Sequence, residues 1–146
     1  FDDIIPTVRA WDTAKNEILA ISVSDIDGES WWNSPQGKNY VKNNIEAVNR
    51  NVKVDRVFIY DSQVSPELQT IMEEQKNAGM SIYKIEKNKL SADLRLDLIV
   101  FDKEFCYEAK VSADGVPISN IFSVDKREIL NKVKGFEIIK NLSEKV

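Results

Sequence analysis

The sequence predicts a single α/β domain over residues 1–146, with a mixed, mainly parallel sheet of five to six strands and helices on both faces. The length suits one domain with one core. In the first half, short apolar runs alternate with amphipathic segments, which is typical of parallel strands joined by crossover helices. In the second half, strand-like runs follow each other across short turns, which predicts added antiparallel pairs.

The first half carries recognisable helix starts and stops. Ser65 and Pro66 suit the N-cap and first position of a helix, and Gly79 suits its C-terminal end. The predicted elements are a helix over 4–16, a strand over 17–25, a loop over 26–37, a helix over 38–50, a strand over 52–61, a helix over 66–78 and a strand over 80–86.

The second half is predicted to begin with a tight hairpin, because only one residue separates its first two strand-like runs. Cys106 lies within the second of these runs and is predicted to be a buried apolar side chain. Asp125 suits the N-cap of a last helix. The predicted elements are strands over 94–102 and 104–112, a turn over 113–117, a possible strand over 118–125 and a helix over 126–143.

The absence of histidine narrows the possible chemistry. The chain contains no histidine and one cysteine, so it can hold neither an intramolecular disulfide nor a zinc site of the usual Cys/His kind. A histidine-dependent catalyst is excluded for the same reason. The glycine-rich phosphate loops and the G-x-S-x-G nucleophile turn are absent as well. We therefore predict no cofactor.

The charge balance does not favour nucleic acid as a partner. The formal net charge is −4, from 20 basic and 24 acidic residues, whereas nonspecific nucleic-acid binding needs a concentrated positive field. The basic residues near the C-terminus alternate with acidic ones, which predicts a solvated helix face. These basic residues are Lys126, Arg127, Lys132, Lys134, Lys140 and Lys145.

No run of about 18 apolar residues occurs, so the sequence contains no visible membrane span. No signal peptide is visible either. We therefore expect a cytoplasmic protein. The sequence starts with an apolar residue, Phe1, in place of Met. We interpret residues 1–146 as a piece of a longer regulatory protein whose output domain lies outside it.

Polar side chains follow two of the predicted parallel strands at the point where each strand ends. Ser22, Ser24 and Asp25 close the first strand, and Asp61 and Ser62 close the second. Ligands of open parallel sheets bind beyond the carboxyl ends of the strands. This edge is therefore the predicted binding site, although capping and turn chemistry also explains such residues.

Two adjacent tryptophans, Trp31 and Trp32, occur in the predicted loop after the first strand. One interpretation is that one or both rings hold the loop on the core, because a tryptophan buries a large area. The other is that they form a ligand wall or a partner anchor, a role for which aromatic side chains are favoured.

The acidic residues suggest two metal-binding hypotheses. Asp25, Asp27 and Glu29 alternate in one loop, but they lack the spacing of a calcium loop. Asp25, Asp61 and Asp102 stand at strand ends and could instead gather into a carboxylate cluster that binds magnesium.

One stretch resembles a known family. The passage VKVDRVFIYDS, the helix after it, QKNAGMSIYKIEKNKL and LRLDLIVFDKEFCYE are together similar to a phospholipase D-like half domain. The resemblance covers about residues 17–112 and implies the fold of that family.

The resemblance also implies that the family's chemistry is missing. Active members carry HxKxxxxD, in which histidine is the nucleophile, lysine binds phosphate and aspartate supports the site. With Asp102 at the aspartate position, Arg95 takes the place of the histidine and Asp97 that of the lysine. Arginine stays protonated and cannot be a nucleophile, and an aspartate repels phosphate. A degenerate, non-catalytic member is expected.

The leading hypothesis is a non-catalytic sensory or regulatory domain that binds a small molecule or a partner and signals to an attached output domain. One alternative is a metal-dependent hydrolase or nuclease that uses the three aspartates. Another is a dimerisation module, in which the first helix pairs with a second copy. The expected ligand contacts are Ser22, Ser24, Asp25, Trp31, Trp32, Asp61, Ser62, Arg95 and Asp102.

Overall fold

The computed structural model describes residues 10–24, 28–111 and 117–146. The strands are β1 (Glu17–Val23), β2 (Lys53–Tyr60), β3 (Ser81–Glu86), β4 (Asp97–Phe101), β5 (Phe105–Val111), β6 (Pro117–Ser123) and β7 (Glu144–Lys145). The helices are α1 (Glu29–Trp32), α2 (Pro35–Asn49), α3 (Pro66–Asn77) and α4 (Lys126–Leu142), with 3-10 turns at Lys87–Lys89 and Ala92–Leu94. Residues 10–13 are helical, and positions 1–9 of the predicted first helix lie outside the described residues.

The described strands form one sheet in the order β6-β5-β4-β1-β2-β3-β7. β1 is parallel to β2 and β2 to β3, as predicted from the crossover helices. The other neighbours are antiparallel, so the prediction of a mainly parallel sheet was wrong. The reason is that β4 adds to the free side of β1 in the opposite direction and then continues as a meander.

Helices cover both faces of the sheet, as predicted, and side chains alternate between the two along each strand. Ile18 and Ala20 of β1 belong to the core cluster on the side of α2 and α3. Leu19 and Ile21 belong to the cluster on the side of α4. Cys106 is buried in this second cluster, as predicted, and burial raises the pKa of its thiol.

Predicted caps are confirmed at two helices. The Ser65 side chain accepts a hydrogen bond from the Leu68 amide at 3.1 Å, and Asp125 accepts one from the Glu128 amide at 2.9 Å. Gly79 follows α3 with a φ of 106°, a conformation that L side chains rarely adopt.

The predicted loop over 26–37 was wrong in its second part, where α1 and the start of α2 lie. Ser34 is an N-cap whose hydroxyl accepts from the Gly37 amide at 3.1 Å, so the Ser-Pro signal at Ser65 also occurs here. A Cβ atom at Gly37 would lie 2.8 Å from the Trp32 Cα, which explains why this position needs glycine. The two tryptophans are therefore held on a short helix against α2.

The C-terminal end adds a strand that the sequence did not reveal. β7 has only two residues, too few for a hydrophobic pattern, and it pairs antiparallel with β3. The predicted strand over 94–102 is shortened to β4, because Ala92–Leu94 form a turn and Asp102 has a φ of 53° at the hairpin. Within the described residues, no helix is both long and apolar enough to cross a membrane.

Candidate functional site

The carboxyl ends of β1, β2 and β3 lie at one edge of the sheet, together with the amino end of antiparallel β4. The Ser24 amide donates to the Ile59 carbonyl at 2.9 Å, which joins the ends of β1 and β2. The Val23 amide donates to Asp97 Oδ2 at 3.3 Å, which joins β1 to β4. The strand ends therefore lie at one edge, as predicted from the sequence, and the start of β4 lies there as well.

The predicted residues at this edge differ in accessibility. Ser22 is 3% exposed and faces the core, Ser24 is partly buried, and Asp61 and Ser62 are exposed. Arg95 is partly buried. Asp25 lies outside the described residues, as do Asp27 and the side chain of Glu29. The edge thus brings part of the predicted set together.

Asp102 lies at the opposite edge, beside the amino end of β1. Its carboxylate accepts from the backbone amides of Lys15, Asn16 and Glu17 at 2.9, 2.8 and 3.0 Å. With a rise of about 3.3 Å per residue, the length of β1 puts ~20 Å between the two edges. The hypothesis that Asp61 and Asp102 gather into one cluster, which the sequence left open, is therefore contradicted, because β4 carries its C-terminal end away from the other strand tips.

The described residues contain no group of three or more His, Cys, Asp or Glu side chains arranged to hold a metal ion. Partial burial of Asp102 favours its neutral form, but the three amide bonds outweigh this and lower its pKa. The group is thus an ionised anchor that holds the residues before β1 to the β4–β5 hairpin.

Arg95 also anchors backbone. Its Nε and Nη2 donate to the Leu90 carbonyl at 3.1 and 2.9 Å, across the 3-10 turn Ala92–Leu94 that precedes β4. Its neighbour Asp97 is 7% exposed and accepts from Val23. Arg95, Asp97 and Asp102 therefore each bind main-chain groups of a neighbouring segment.

The tryptophan pair packs on the α2/α3 side of the sheet. Trp32 is 3% exposed, and its ring centroid lies 5.6 Å from that of Phe58. Trp31 is partly buried and meets Trp32 edge-on at 4.9 Å and Tyr40 at 5.4 Å. The interpretation that the rings hold this segment on the core is supported by these contacts.

Sequence reasoning missed a buried arginine beneath these rings. Arg56 of β2 is fully buried, with its Cζ 5.2 Å from the Trp32 ring centroid and 4.9 Å from that of Tyr40. It donates to Gln75 Oε1 at 2.6 Å and to Tyr40 Oη and Asn44 Oδ1, both at 2.9 Å. The available signal was a charged residue within the otherwise apolar run of β2.

Two of the cavities in the described part of the chain lie against the helices. One, of about 150 Å³, lies between α1, α2 and α3, and it is lined by Trp32, Asn33, Lys38, Val41, Ile71, Glu74 and Gln75. The other, of about 460 Å³, lies between the β4–β5 turn and the start of α4, and it is lined by Lys103, Glu104, Val124, Lys126, Ile129, Leu130 and Val133. Of these two, the first is lined by Trp32 and by Gln75, which accepts from Arg56.

No family model matches the sequence, and no curated protein is significantly similar to it. Solved structures do match. The archaeal chromatin protein TrmBL2, whose structure shows a novel mode of DNA binding, aligns with a TM-score of 0.67 and 19% identity over 97% of this chain. The chain spans half, 50%, of the TrmBL2 chain.

Two further neighbours match over almost their whole length. Nuc from Salmonella typhimurium, a phospholipase D family member, aligns with a TM-score of 0.69 and 13% identity, over 98% of this chain and 90% of its own. NucT from Helicobacter pylori aligns with a TM-score of 0.69 and 9% identity, over 99% and 91%. At such identities the likeness shows the fold alone. The chain has the phospholipase D-like fold.

Proposed function

We propose that this chain is a non-catalytic regulatory domain of a longer, DNA-associated protein. The observation that carries the proposal is the bonding at the three positions that align with the catalytic motif of the family. Arg95 binds a carbonyl, Asp97 an amide, and Asp102 three amides. Side chains that bind backbone in this way position segments of the chain, which supports the absence of a nucleophile at these three positions.

The comparison with TrmBL2 supports the association with DNA. That chromatin protein is twice as long as the matched region, so the same fold occurs there as one part of a larger chain. We infer a similar arrangement here, in which DNA is bound by a segment attached to this domain.

Part of the positive charge of the domain is paired with acidic side chains. Lys132 pairs with Glu108 at 2.7 Å, and Lys140 pairs with Asp55 at 3.2 Å. These pairs remove two of the basic side chains of α4 from any phosphate-binding surface. Fluorescence anisotropy with a duplex at low salt should give weak binding for residues 1–146 alone. Submicromolar binding that falls with salt would place the DNA surface on this domain.

A phosphodiesterase assay tests the absence of catalysis. Purified protein is incubated with bis(p-nitrophenyl) phosphate and with single- and double-stranded DNA, with and without magnesium. We expect turnover no faster than that of the buffer.

Arg95→Ala serves as the control, because a contaminating nuclease would act equally in both preparations. Turnover that Arg95→Ala abolishes would overturn the proposal. Turnover that requires magnesium and is lost in Asp61→Asn would instead support the metal-dependent hydrolase.

Dimerisation is a second candidate, but through a different surface from the one predicted. In the described part of the first helix, Trp11 is 4% exposed and packs edge-on against Phe101, so this apolar side chain is used in the protein's own core. By contrast, α4 exposes Leu130, Ile138 and Leu142 by 50% or more. Light scattering over a range of concentrations tests for a dimer, and Ile138→Lys should abolish one that uses this surface.

A further inference from the structure

The two edge strands of the sheet differ in length and in charge. Within the described part of the chain, β5 is the only strand that pairs with β6, so the other side of this seven-residue strand has no strand partner there. At the opposite edge, β7 has two residues, Glu144 and Lys145, and both are exposed. A short, charged edge strand disfavours pairing with another chain, whereas a longer open one is a template for it.

β6 lacks the charged side chains that protect edge strands. Of the strands that the structure describes, β6 alone contains no Asp, Glu, Lys or Arg, in a chain of which 30% of the residues are charged. In a twofold pairing, a side chain near the axis lies close to its own copy, so a charge there would meet a like charge. An uncharged strand can pair with a second copy of itself without this repulsion.

The regular part of β6 spans residues 119–123, over which its register with β5 is continuous. The irregularity of this strand pair lies between Lys110 and Val111, opposite the start of β6. Pro117 at that start has no N–H to donate. Because bulges and prolines limit pairing at an edge, the part available to a further strand is 119–123, which is centred on Ile121.

This part of the edge carries apolar side chains that the fold leaves partly uncovered. Ile121 is partly buried and lies opposite Glu108 of β5, whose carboxylate pairs with Lys132, so Ile121 faces the α4 side. Phe122 is partly buried on the other face. Val124, directly after the strand, is 73% exposed, more than any other large apolar side chain of the described residues. A second strand along this edge would remove part of this apolar surface from water.

We propose that β6 is an interface at which two copies of this chain pair edge to edge, antiparallel, about a twofold axis at Ile121. In this register Ile121 lies opposite the partner's Ile121, and Ser119 lies opposite the partner's Ser123. The same strand supplies both sides of a twofold interface, so a second copy is the partner that this edge fits. The inference goes beyond the proposed function and uses a different surface from the exposed side chains of α4.

Sedimentation velocity of the purified chain at increasing concentration tests for the dimer. Pairing over 119–123 buries less than the ~1,600 Å² of a standard interface, so we expect a dissociation constant on the order of 10 μM. A chain that stays monomeric at a concentration about tenfold above this value would overturn the proposal.

Asn120→Lys puts a charge beside the axis, about 7–8 Å from its own copy, and should weaken the dimer by at least about tenfold. Asn120 is exposed, so the variant is expected to fold, and thermal unfolding verifies this. Asn77→Lys makes the same change at an exposed position of α3 and should dimerise like the wild type. Unchanged dimerisation of Asn120→Lys would contradict the interface, and a dimer lost only in Ile138→Lys would assign it to α4 instead.

Disulfide formation tests the register. Ile121→Cys places two thiols opposite each other across the axis, with Cβ atoms about 4.5–5.5 Å apart, and oxidation with diamide should link the two chains. In Ser119→Cys the thiols lie on the same face but about 14 Å apart along the strands, and they should stay unlinked. Cys106 is buried and is common to both variants. Equal linkage in the two variants, or none in Ile121→Cys, would overturn the proposal.

Discussion

Asp55 and Arg56 are adjacent residues of β2, both at most 1% exposed, and they face opposite sides of the sheet. Asp55 lies on the α4 side, where its Oδ2 is 3.2 Å from Lys140 Nζ and 3.5 Å from Lys53 Nζ. Arg56 lies on the other side, where its acceptors among the described residues are neutral and two aromatic rings flank it. Within the described residues, Asp55 is thus paired with a cation, whereas Arg56 is not paired with an acid.

The difference separates a buried charge that is held by an ion pair from one that is held by neutral groups. An internal ion pair, once formed, offers little to a ligand, because each charge already has its partner. A cation held by neutral groups keeps a field that can act on an incoming anion. The cavity of about 150 Å³ lies on the side of Arg56, and the one of about 460 Å³ lies against α4, on the side of Asp55.

The largest expected effect comes from Arg56→Met. This change leaves the acceptors on Tyr40, Asn44 and Gln75 buried without their donor, and it removes both ring contacts. We expect the free energy of unfolding to fall by about 3–5 kcal/mol, measured by urea denaturation. A loss below ~1 kcal/mol would mean that water replaces the guanidinium, and the two buried charges would then differ less than their bonding suggests.

Lys140→Met should cost less, about 2 kcal/mol, because Lys140 is itself partly exposed and Lys53 remains near Asp55. Burial lowers the pKa of Lys140, but the hydrogen bond and charge of Asp55 outweigh burial and raise it. The stabilisation is therefore complete below the unfolded pKa near 10.4 and is lost as pH rises through the folded pKa. Urea denaturation at several alkaline pH values should show the wild type converging on the variant, and a constant difference would contradict the ion pair.

Gln75→Glu should raise the free energy of unfolding by about 1 kcal/mol, because it gives Arg56 the acidic partner that Asp55 already has in Lys140. Gln69→Glu should stay within ~0.5 kcal/mol of the wild type. Urea denaturation of both variants measures the difference. Destabilisation by Gln75→Glu would indicate that the neutral acceptors already satisfy Arg56.

Asp102→Asn tests a carboxylate that is held by backbone amides at the sheet edge, in contrast to Asp55, which is held by an ion pair. Asparagine tolerates the positive φ but loses the charge and one acceptor oxygen, so we expect a loss of about 1 kcal/mol at neutral pH. Because the folded pKa of Asp102 is lowered, its contribution is present above the unfolded value near 3.9 and is lost as pH falls through the folded pKa. Acid denaturation of both proteins measures this, and a difference that persists at low pH would contradict it.

Local sequence signals were sufficient for most of the fold. Ser65 and Asp125 were identified as caps because a cap depends on bonds within one turn. The parallel order of the first three strands followed from the helices between them. The direction of β4 beside β1 was not encoded locally, and the mainly parallel sheet was wrong for that reason.

The candidate site was harder to predict from the sequence than the fold. The strand-edge residues could be placed at one edge, but Asp102 could not be placed at the other without the direction of β4. In the sequence, Gln75 looks like an ordinary helix residue. Its amide nitrogen is left without a hydrogen-bond partner only because α3 packs over Arg56, which binds the amide oxygen.

By itself, the amino-acid sequence determined that this is an α/β domain without histidine, and its resemblance to a family led to the prediction that Arg95, Asp97 and Asp102 take the catalytic positions. Only the tertiary structure decided what those side chains bind, and that a buried arginine is held by neutral acceptors. The physical reason is the separation along the chain of the residues that interact. Caps and strand patterns act over a few residues, whereas the environment of a buried charge is assembled from segments that are far apart in the chain.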